Sequence, residues 1–123
     1  YYGLVGSEMC IRDRLTTILQ YMDRHPQREV WWANLATPGE KDSTLIHRMK
    51  DLNDSVRAKT GHIAGVSALS GYVLGPGNRR YAFSILCNDT YKAKGGPSSA
   101  DRLEESICRL LANWEPTTST KAK

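Results

Sequence analysis

The feature that most constrains the fold of this chain is a pair of strand-like segments separated by one glycine. The first, Val56 to His62, carries β-branched residues, and in the second, Val66 to Val73, side chains alternate with the period of two expected of a strand. Gly65, between them, can form a tight turn. The sequence therefore predicts a β-hairpin with the tripeptide Lys59-Thr60-Gly61 on its first strand.

The remaining segments complete an α+β pattern. Apolar residues at helical spacing predict a helix from about Leu15 to Asp23, and alternation from Arg79 to Asn88 predicts a third antiparallel strand after a glycine-rich turn. Ser98 or Ser99 can cap a closing helix. The residues expected on the buried face of that helix are Leu103, Ile107, Leu110, Leu111 and Trp114. We expect an antiparallel sheet with a packed C-terminal helix.

The region between the first helix and the hairpin contains only short sequence patterns that predict structure. Trp31-Trp32 and then Leu35 indicate a short buried segment or strand, with stacking of the indoles on a ligand as the alternative. Thr37-Pro38-Gly39 predicts a turn. Asp42-Ser43-Thr44 can cap a short helix through Met49.

Length and charge narrow the class of protein. At 123 residues and 40% hydrophobic composition, the chain can bury one modest core but not two. The formal net charge of +4 is spread over a turn, a loop and the tail, without a basic face interleaved with aromatic residues. A role in binding nucleic acid is therefore not expected. No stretch is long and apolar enough to span a membrane.

The first fourteen residues read differently from the rest. The segment Leu4 to Arg14 matches the translation, in one reading frame, of a transposon-based DNA sequencing adaptor. Such non-native segments are excluded before the fold is predicted. A secretory signal is the competing interpretation, but Glu8, Arg12 and Asp13 interrupt the apolar core that it would need. We therefore expect residues 1–14 to be non-native, 15–114 to form part of one domain, and 115–123 to be a disordered tail.

The Lys-Thr-Gly tripeptide has a chemistry suited to the free C-terminus of a peptide. Lys59 can offer a point charge to a carboxylate, Thr60 a hydroxyl donor, and Gly61 a surface without Cβ where another backbone can approach. Side chains alternate along a strand, so Lys59 and Gly61 are expected to face one way and Thr60 the other. The alternative is a solvated strand lysine followed by an ordinary strand end.

Lys-Thr-Gly is also a signature of β-lactamases and penicillin-binding proteins. The longer run from Arg57 to Val73 resembles the D-alanyl-D-alanine carboxypeptidase/endopeptidase family, the low-molecular-mass class C penicillin-binding proteins, and a looser resemblance extends from Leu15 to Trp114. The resemblance implies the C-terminal part of the penicillin-binding fold and an acyl-serine peptidase without metal or cofactor. It further implies a periplasmic or cell-envelope location, peptidoglycan stem peptides ending in D-Ala-D-Ala as substrates, and β-lactams as inhibitors.

The resemblance also assigns roles to residues. Lys59 and Thr60 would bind the substrate's terminal carboxylate beside Gly61, Lys59 would tune the catalytic proton relay, and the backbone N–H of His62 would help form the oxyanion hole. His62 stands where the family more often has Thr or Ser. Its side chain either titrates near the substrate or faces solvent or a neighbouring loop. Thr44 to Arg48 would border the cleft, or else form a helix whose arginine pairs at the surface.

The signatures that carry the nucleophile are missing. No Ser is followed three positions later by Lys, and no Ser-x-Asn occurs. The chain is therefore expected to be an inactive fragment whose serine lies upstream. A β-lactamase or esterase of the same fold and a non-catalytic cell-wall-binding module are the rival hypotheses.

Cysteines and histidines show no metal-ligand spacing. Outside the adaptor-like segment, Cys87 falls on a predicted strand and Cys108 on a predicted helix. They are expected to be two separate thiols, with a disulfide as the alternative in an oxidising compartment. His25 and His47, like His62, are expected to be structural or exposed.

Overall fold

The computed structural model describes residues 4–88, 90 and 98–116, and within them the chain folds as one three-stranded sheet with helices on both faces. The helices are α1 (Leu4–Arg24), α2 (Arg28–Ala33) and α3 (Ser99–Ala112), and the strands are β1 (Val56–Ile63), β2 (Val66–Gly75) and β3 (Arg79–Asn88). Two 3₁₀ turns, Lys50–Leu52 and Pro76–Asn78, complete the order. The predicted α+β class is confirmed.

The sheet is antiparallel, in the order β1-β2-β3. The β1–β2 hairpin closes at Gly65, whose φ of 73° lies in the region that favours glycine. Lys59 pairs with Ser70 and Gly61 with Ala68. The hairpin and the third strand are therefore formed as predicted.

The core lies on the face of the sheet that α3 covers. It also includes the loop before β1, which contributes Leu45 and Met49, both buried. The full cluster of buried residues is Leu45, Met49, Leu52, Val56, Ala58, Leu69, Val73, Phe83 and Cys108. Burial raises the pKa of the Cys108 thiol to about 12, and both Cys87 and Cys108 are free thiols.

Helices α1 and α2 cover the opposite face of the sheet around Tyr72. Trp32 stacks on the Tyr72 ring with centroids 5.1 Å apart, while the Trp31 indole N–H donates to the Tyr72 hydroxyl at 3.0 Å. That hydroxyl in turn donates to the backbone carbonyl of Leu19. The two tryptophans therefore pack against Tyr72, but they lie half-buried on a helix rather than in the buried segment or strand predicted.

Two other predictions need correction. Helix α1 begins at Leu4, well before the predicted start near Leu15. The segment before β1 forms turns instead of the helix predicted through Met49, because its backbone hydrogen bonds span three residues and Met49 has a φ of 49°. The Ser43 hydroxyl does accept a hydrogen bond from the Leu45 N–H, as a cap would.

Helix α3 begins as predicted but buries a different face. Ser98 caps it, and its side chain and that of Asp101 form a reciprocal capping box. The side chains buried in the helix are Ala100, Glu104 and Cys108. Of the five residues expected in the core, three are exposed by about half, namely Leu103, Leu110 and Trp114, whereas Ile107 and Leu111 are partly buried.

The helix prediction for residues 15–23 is confirmed, and α1 continues without a break through residues 4–14. Of the expected tail, residues 117–123 lie outside the described part of the chain. None of the helices in the described ranges has the length and apolar character needed to cross a membrane.

Candidate active-site groove

A groove of about 480 Å³ lies on the α1 side of the sheet. Its floor is formed by β1 and β2, and α1 with the segment after α2 forms its wall. The lining residues are Leu15, Ile18, Leu19, Trp31, Asn34, Leu35, Lys59, Thr60, Gly61, Ala68 and Ser70. The groove thus joins an apolar wall to the polar end of the Lys-Thr-Gly strand.

All three residues of the tripeptide line this groove. Strand alternation predicted that Lys59 and Gly61 share a face, and the register sets them opposite Ser70 and Ala68, which also line the groove. Thr60 also contributes to the lining, which alternation alone did not predict. Lys59 is exposed, and its ammonium donates to the Thr60 carbonyl. The cation is therefore available at the open side of β1.

The backbone of β1 is open along its outer edge beyond Ala58. Ala58 exchanges both backbone hydrogen bonds with Ala36 at 3.0 Å on the side away from β2. Direction alternates along an antiparallel strand, so the N–H groups of Thr60 and His62 also point away from β2. Neither has a backbone partner on that side among the described residues.

Gly61 is not required by the packing of the sheet. A Cβ placed there would meet only the Ala68 Cβ, at an ordinary 3.5 Å. At Gly71, in contrast, a Cβ would lie 2.1 Å from the Arg57 carbonyl oxygen. The fold needs the second glycine, whereas the first leaves the groove surface without a side chain.

The His62 side chain points away from the groove. Its Nε2 lies 3.2 Å from the Ser67 hydroxyl and 3.6 Å from an Asp101 carboxylate oxygen, on the face that α3 covers. This position favours the interpretation in which the His62 side chain faces solvent or a neighbouring segment over the one in which it titrates beside the substrate. No local sequence pattern indicates the contact with Asp101, because the two residues are 39 positions apart in the chain.

Beneath His62 lies a buried ion-pair cluster centred on Arg48. Its guanidinium contacts Glu104 at 2.9 Å, and Asp101 and Glu105 at 3.2 Å. Burial opposes the charge of Arg48, but the bond with Glu104 and the neighbouring carboxylates outweigh it and raise the pKa of the guanidinium. The alternative prediction, that Arg48 forms an ion pair at the surface, is correct about the ion pair. It is wrong about the position, because only 15% of the Arg48 side chain is exposed.

The neighbourhood of Ser67, His62 and Asp101 has the composition of a hydrolytic triad but not its geometry. Ser67 is fully buried, and its hydroxyl donates to Glu104 at 2.8 Å. Ser67 and Asp101 also approach the same ring nitrogen, whereas a relay uses both nitrogens. In the groove, the Ser70 hydroxyl is paired with that of Ser84 at 2.9 Å.

Metal ligands are not assembled in the described ranges, where no three His, Cys, Asp or Glu side chains cluster suitably. His25 and His47 lie apart from the groove lining. His25 accepts a hydrogen bond from the Gln27 N–H through Nδ1, and His47 is exposed.

Comparisons with known proteins agree with this architecture. Residues 3–107 match the model of the D-Ala-D-Ala carboxypeptidase 3 (S13) family. A D-alanyl-D-alanine carboxypeptidase from Actinomadura sp. (strain R39) is 39% identical over 118 residues, a match that covers 91% of this chain and 21% of that protein. The chain thus spans about a fifth of the length of this curated relative.

Structural similarity supports the same fold. The crystal structure of penicillin binding protein 4 (dacB) from Haemophilus influenzae superposes with a TM-score of 0.68 at 18% identity, covering 84% of this chain and 24% of that one. The family match over most of the chain, the relative and the shared fold give one conclusion: this chain belongs to the D-Ala-D-Ala carboxypeptidase 3 (S13) family.

Proposed function

We propose that the chain is part of a serine-type D-Ala-D-Ala carboxypeptidase/endopeptidase that acts on peptidoglycan, and that it supplies the substrate-binding wall of the active site but not the nucleophile. The observation that carries this proposal is the groove in which Lys59, Thr60 and Gly61 meet at an open strand edge. The chain covers about a fifth of its relative, so the serine and its base would come from sequence upstream.

The substrate would lie along the open edge of β1. An extended peptide can add to such an edge through backbone hydrogen bonds, with Gly61 allowing close approach. Lys59 and the Thr60 hydroxyl would hold the terminal carboxylate, because an ammonium and a hydroxyl donor suit that anion. The peptide in question ends in D-Ala-D-Ala, and a β-lactam would occupy the same place as an inhibitor.

The reaction would proceed through an acyl-serine. The serine oxygen would bond to the carbonyl carbon of the penultimate D-alanine while its proton passes to the departing amine nitrogen, a transfer tuned by Lys59. The C–N bond breaks and the terminal D-alanine leaves, after which water hydrolyses the ester. The His62 N–H would stabilise the oxyanion, a contribution worth about 2.7–4 kcal/mol for one such donor. Neither metal nor cofactor takes part, and the location would be periplasmic or cell-envelope.

The test is to extend the reading frame upstream from the source DNA and to express the continuous protein. Fluorescent penicillin should label it covalently, and it should release D-alanine from a stem pentapeptide, whereas the 123-residue chain alone should do neither. Lys59→Ala should lower kcat/KM about 10- to 100-fold. The matched control, Lys41→Ala, alters an exposed lysine outside the groove lining and should change it less than twofold.

The outcomes separate the proposal from its rivals. A complete protein that binds peptidoglycan reversibly and is never labelled would be a cell-wall-binding module. A protein that turns over penicillin quickly and leaves the pentapeptide intact would be a β-lactamase. Covalent labelling of the 123-residue chain itself would contradict the statement that it lacks the nucleophile.

A further inference from the structure

A polar cluster joins the tip of the β1–β2 hairpin to α3. It consists of His62 on β1, Ser67 on β2, Arg48 in the loop before β1, and Asp101 and Glu104 on α3. The contacts run from His62 Nε2 to the Ser67 hydroxyl (3.2 Å), from that hydroxyl to Glu104 (2.8 Å), and from Glu104 to Arg48 (2.9 Å). The groove and this cluster therefore lie on opposite faces of the same short stretch of β1.

The hydrogen-bond directions in the cluster define the state of the imidazole. The Ser67 hydroxyl has one hydrogen, which it donates to Glu104. Towards His62 the oxygen can then only accept, so Nε2 carries the proton and donates it. The same N–H is directed at the side of α3 where an Asp101 oxygen lies 3.6 Å from Nε2.

The other side chains of the hairpin tip contribute little anchorage, and the backbone is held at Gly65, whose carbonyl accepts a hydrogen bond from the Thr90 N–H at 3.0 Å. Gly61 has no side chain, Ile63 is 75% exposed, and Ala64 is exposed. The outer edge of β1 is paired at Ala58 but at none of the later residues among those described. His62, 47% exposed, is the side chain of the tip that reaches α3, and it directly follows Gly61, whose backbone is the least restricted.

We propose that His62 is a positioning residue for the site described above: its Nε2–H, which donates to Ser67 close to the Asp101 carboxylate, fixes the backbone after Gly61 so that the His62 N–H points into the groove edge. This inference rests on the proposed function, because it assigns to the side chain the task of aiming the oxyanion donor. Such a donor acts in the transition state, so a misaimed one should slow acylation while substrate binding stays the same.

The first test concerns the proton and uses the 123-residue chain. Imidazole ¹⁵N–¹H correlation spectra should show His62 protonated at Nε2, with a coupling across the hydrogen bond or a slowed exchange that Ser67→Ala abolishes. Amide exchange at Gly61 and Ile63, whose N–H groups point towards β2, should quicken in His62→Ala. A neutral ring protonated only at Nδ1, or unchanged amide exchange in His62→Ala, would overturn the proposal.

The second test uses the extended protein and separates acylation from binding by penicillin. His62→Ala should lower the acylation rate constant about tenfold and leave the binding constant within twofold. His62→Gln should recover most of the rate, because its amide N–H₂ occupies a place similar to Nε2–H. The control Arg102→Ala changes an exposed neighbour of Asp101 and should match the wild type.

Failure of this inference is distinct from failure of the proposed function. If the wild-type protein is not acylated at all, the proposed function fails. If it is acylated and His62→Ala is as fast, or if His62→Gln is as slow as His62→Ala while both melt at the wild-type temperature, positioning by Nε2–H is wrong.

Discussion

Two glycines on neighbouring strands show how one residue type serves different purposes at the scale of a single position. Gly71 faces the β1 backbone, where a Cβ would lie 2.1 Å from the Arg57 carbonyl oxygen and 2.5 Å from the Ala58 Cα. Gly61 faces the groove, where a Cβ would find ordinary contact. Packing therefore explains the first glycine and leaves the second to be explained by what the groove accepts.

This difference predicts opposite effects of the same substitution. Gly71→Ala should destabilise the chain by about 1–3 kcal/mol or more, because backbone atoms cannot move aside as a flexible side chain can. Gly61→Ala should change the free energy of unfolding by less than about 0.5 kcal/mol. Urea unfolding followed by circular dichroism measures both. Equal losses in the two variants would contradict the assignment of Gly61 to the groove.

At the scale of secondary-structure elements, local pattern predicts the hairpin but not how α3 packs. The strands of the hairpin lie next to each other in sequence, so alternation and Gly65 suffice to define them. Helix α3 buries Glu104 and exposes Leu103 and Leu110, the reverse of what hydrophobic periodicity predicts. The charge of Glu104 is tolerated because Arg48, 56 positions earlier, forms an ion pair with it. A local sequence pattern carries no information on contacts between residues so far apart in the chain.

The Arg48 cluster should therefore hold α3 to the loop before β1. Arg48→Ala would leave the buried Glu104 carboxylate without its cation, and breaking a buried ion pair in this way costs about 3–5 kcal/mol. Arg109→Ala is the control, because Arg109 lies on the same helix but its pair with Asp51 is exposed, so its loss should have little effect. Chemical unfolding of both variants checks the contrast. Similar stability of Arg48→Ala and the wild type would show that the cluster contributes nothing to the docking of α3.

At the scale of the whole molecule, the sheet separates two environments. The α3 face holds the buried core and the charged cluster, while the α1 face holds the groove and half-exposed apolar residues such as Ile18. The α+β class, the three strands and the position of Lys-Thr-Gly follow from local sequence. The groove wall does not, because it depends on α1 and the segment after α2 crossing the sheet near residues 59–61.

The lowered pKa values of two aspartates predict how the stability of the whole chain responds to acid. Partial burial alone would raise the pKa of Asp101, but hydrogen bonds with Ser98, together with the charges of Arg48 and His62, hold that pKa below its ordinary value. A hydrogen bond from Arg109 likewise lowers the pKa of Asp51. In the unfolded chain an aspartate titrates near 3.9, so the unfolded state takes up protons at a higher pH than the native state does. The stabilisation is therefore complete above that value and is lost as the pH falls through the lower, native pKa.

Thermal unfolding between pH 6 and pH 2 should show this loss as a falling melting temperature below about pH 4. Asp101→Asn should flatten part of the slope, since it removes the titrating group that joins the α3 cap to Arg48. Asp54→Asn alters an exposed carboxylate that forms no ion pair among the described residues and should leave the slope as it is. A slope that Asp101→Asn leaves intact would mean that this carboxylate does not couple the α3 cap to the stability of the whole chain.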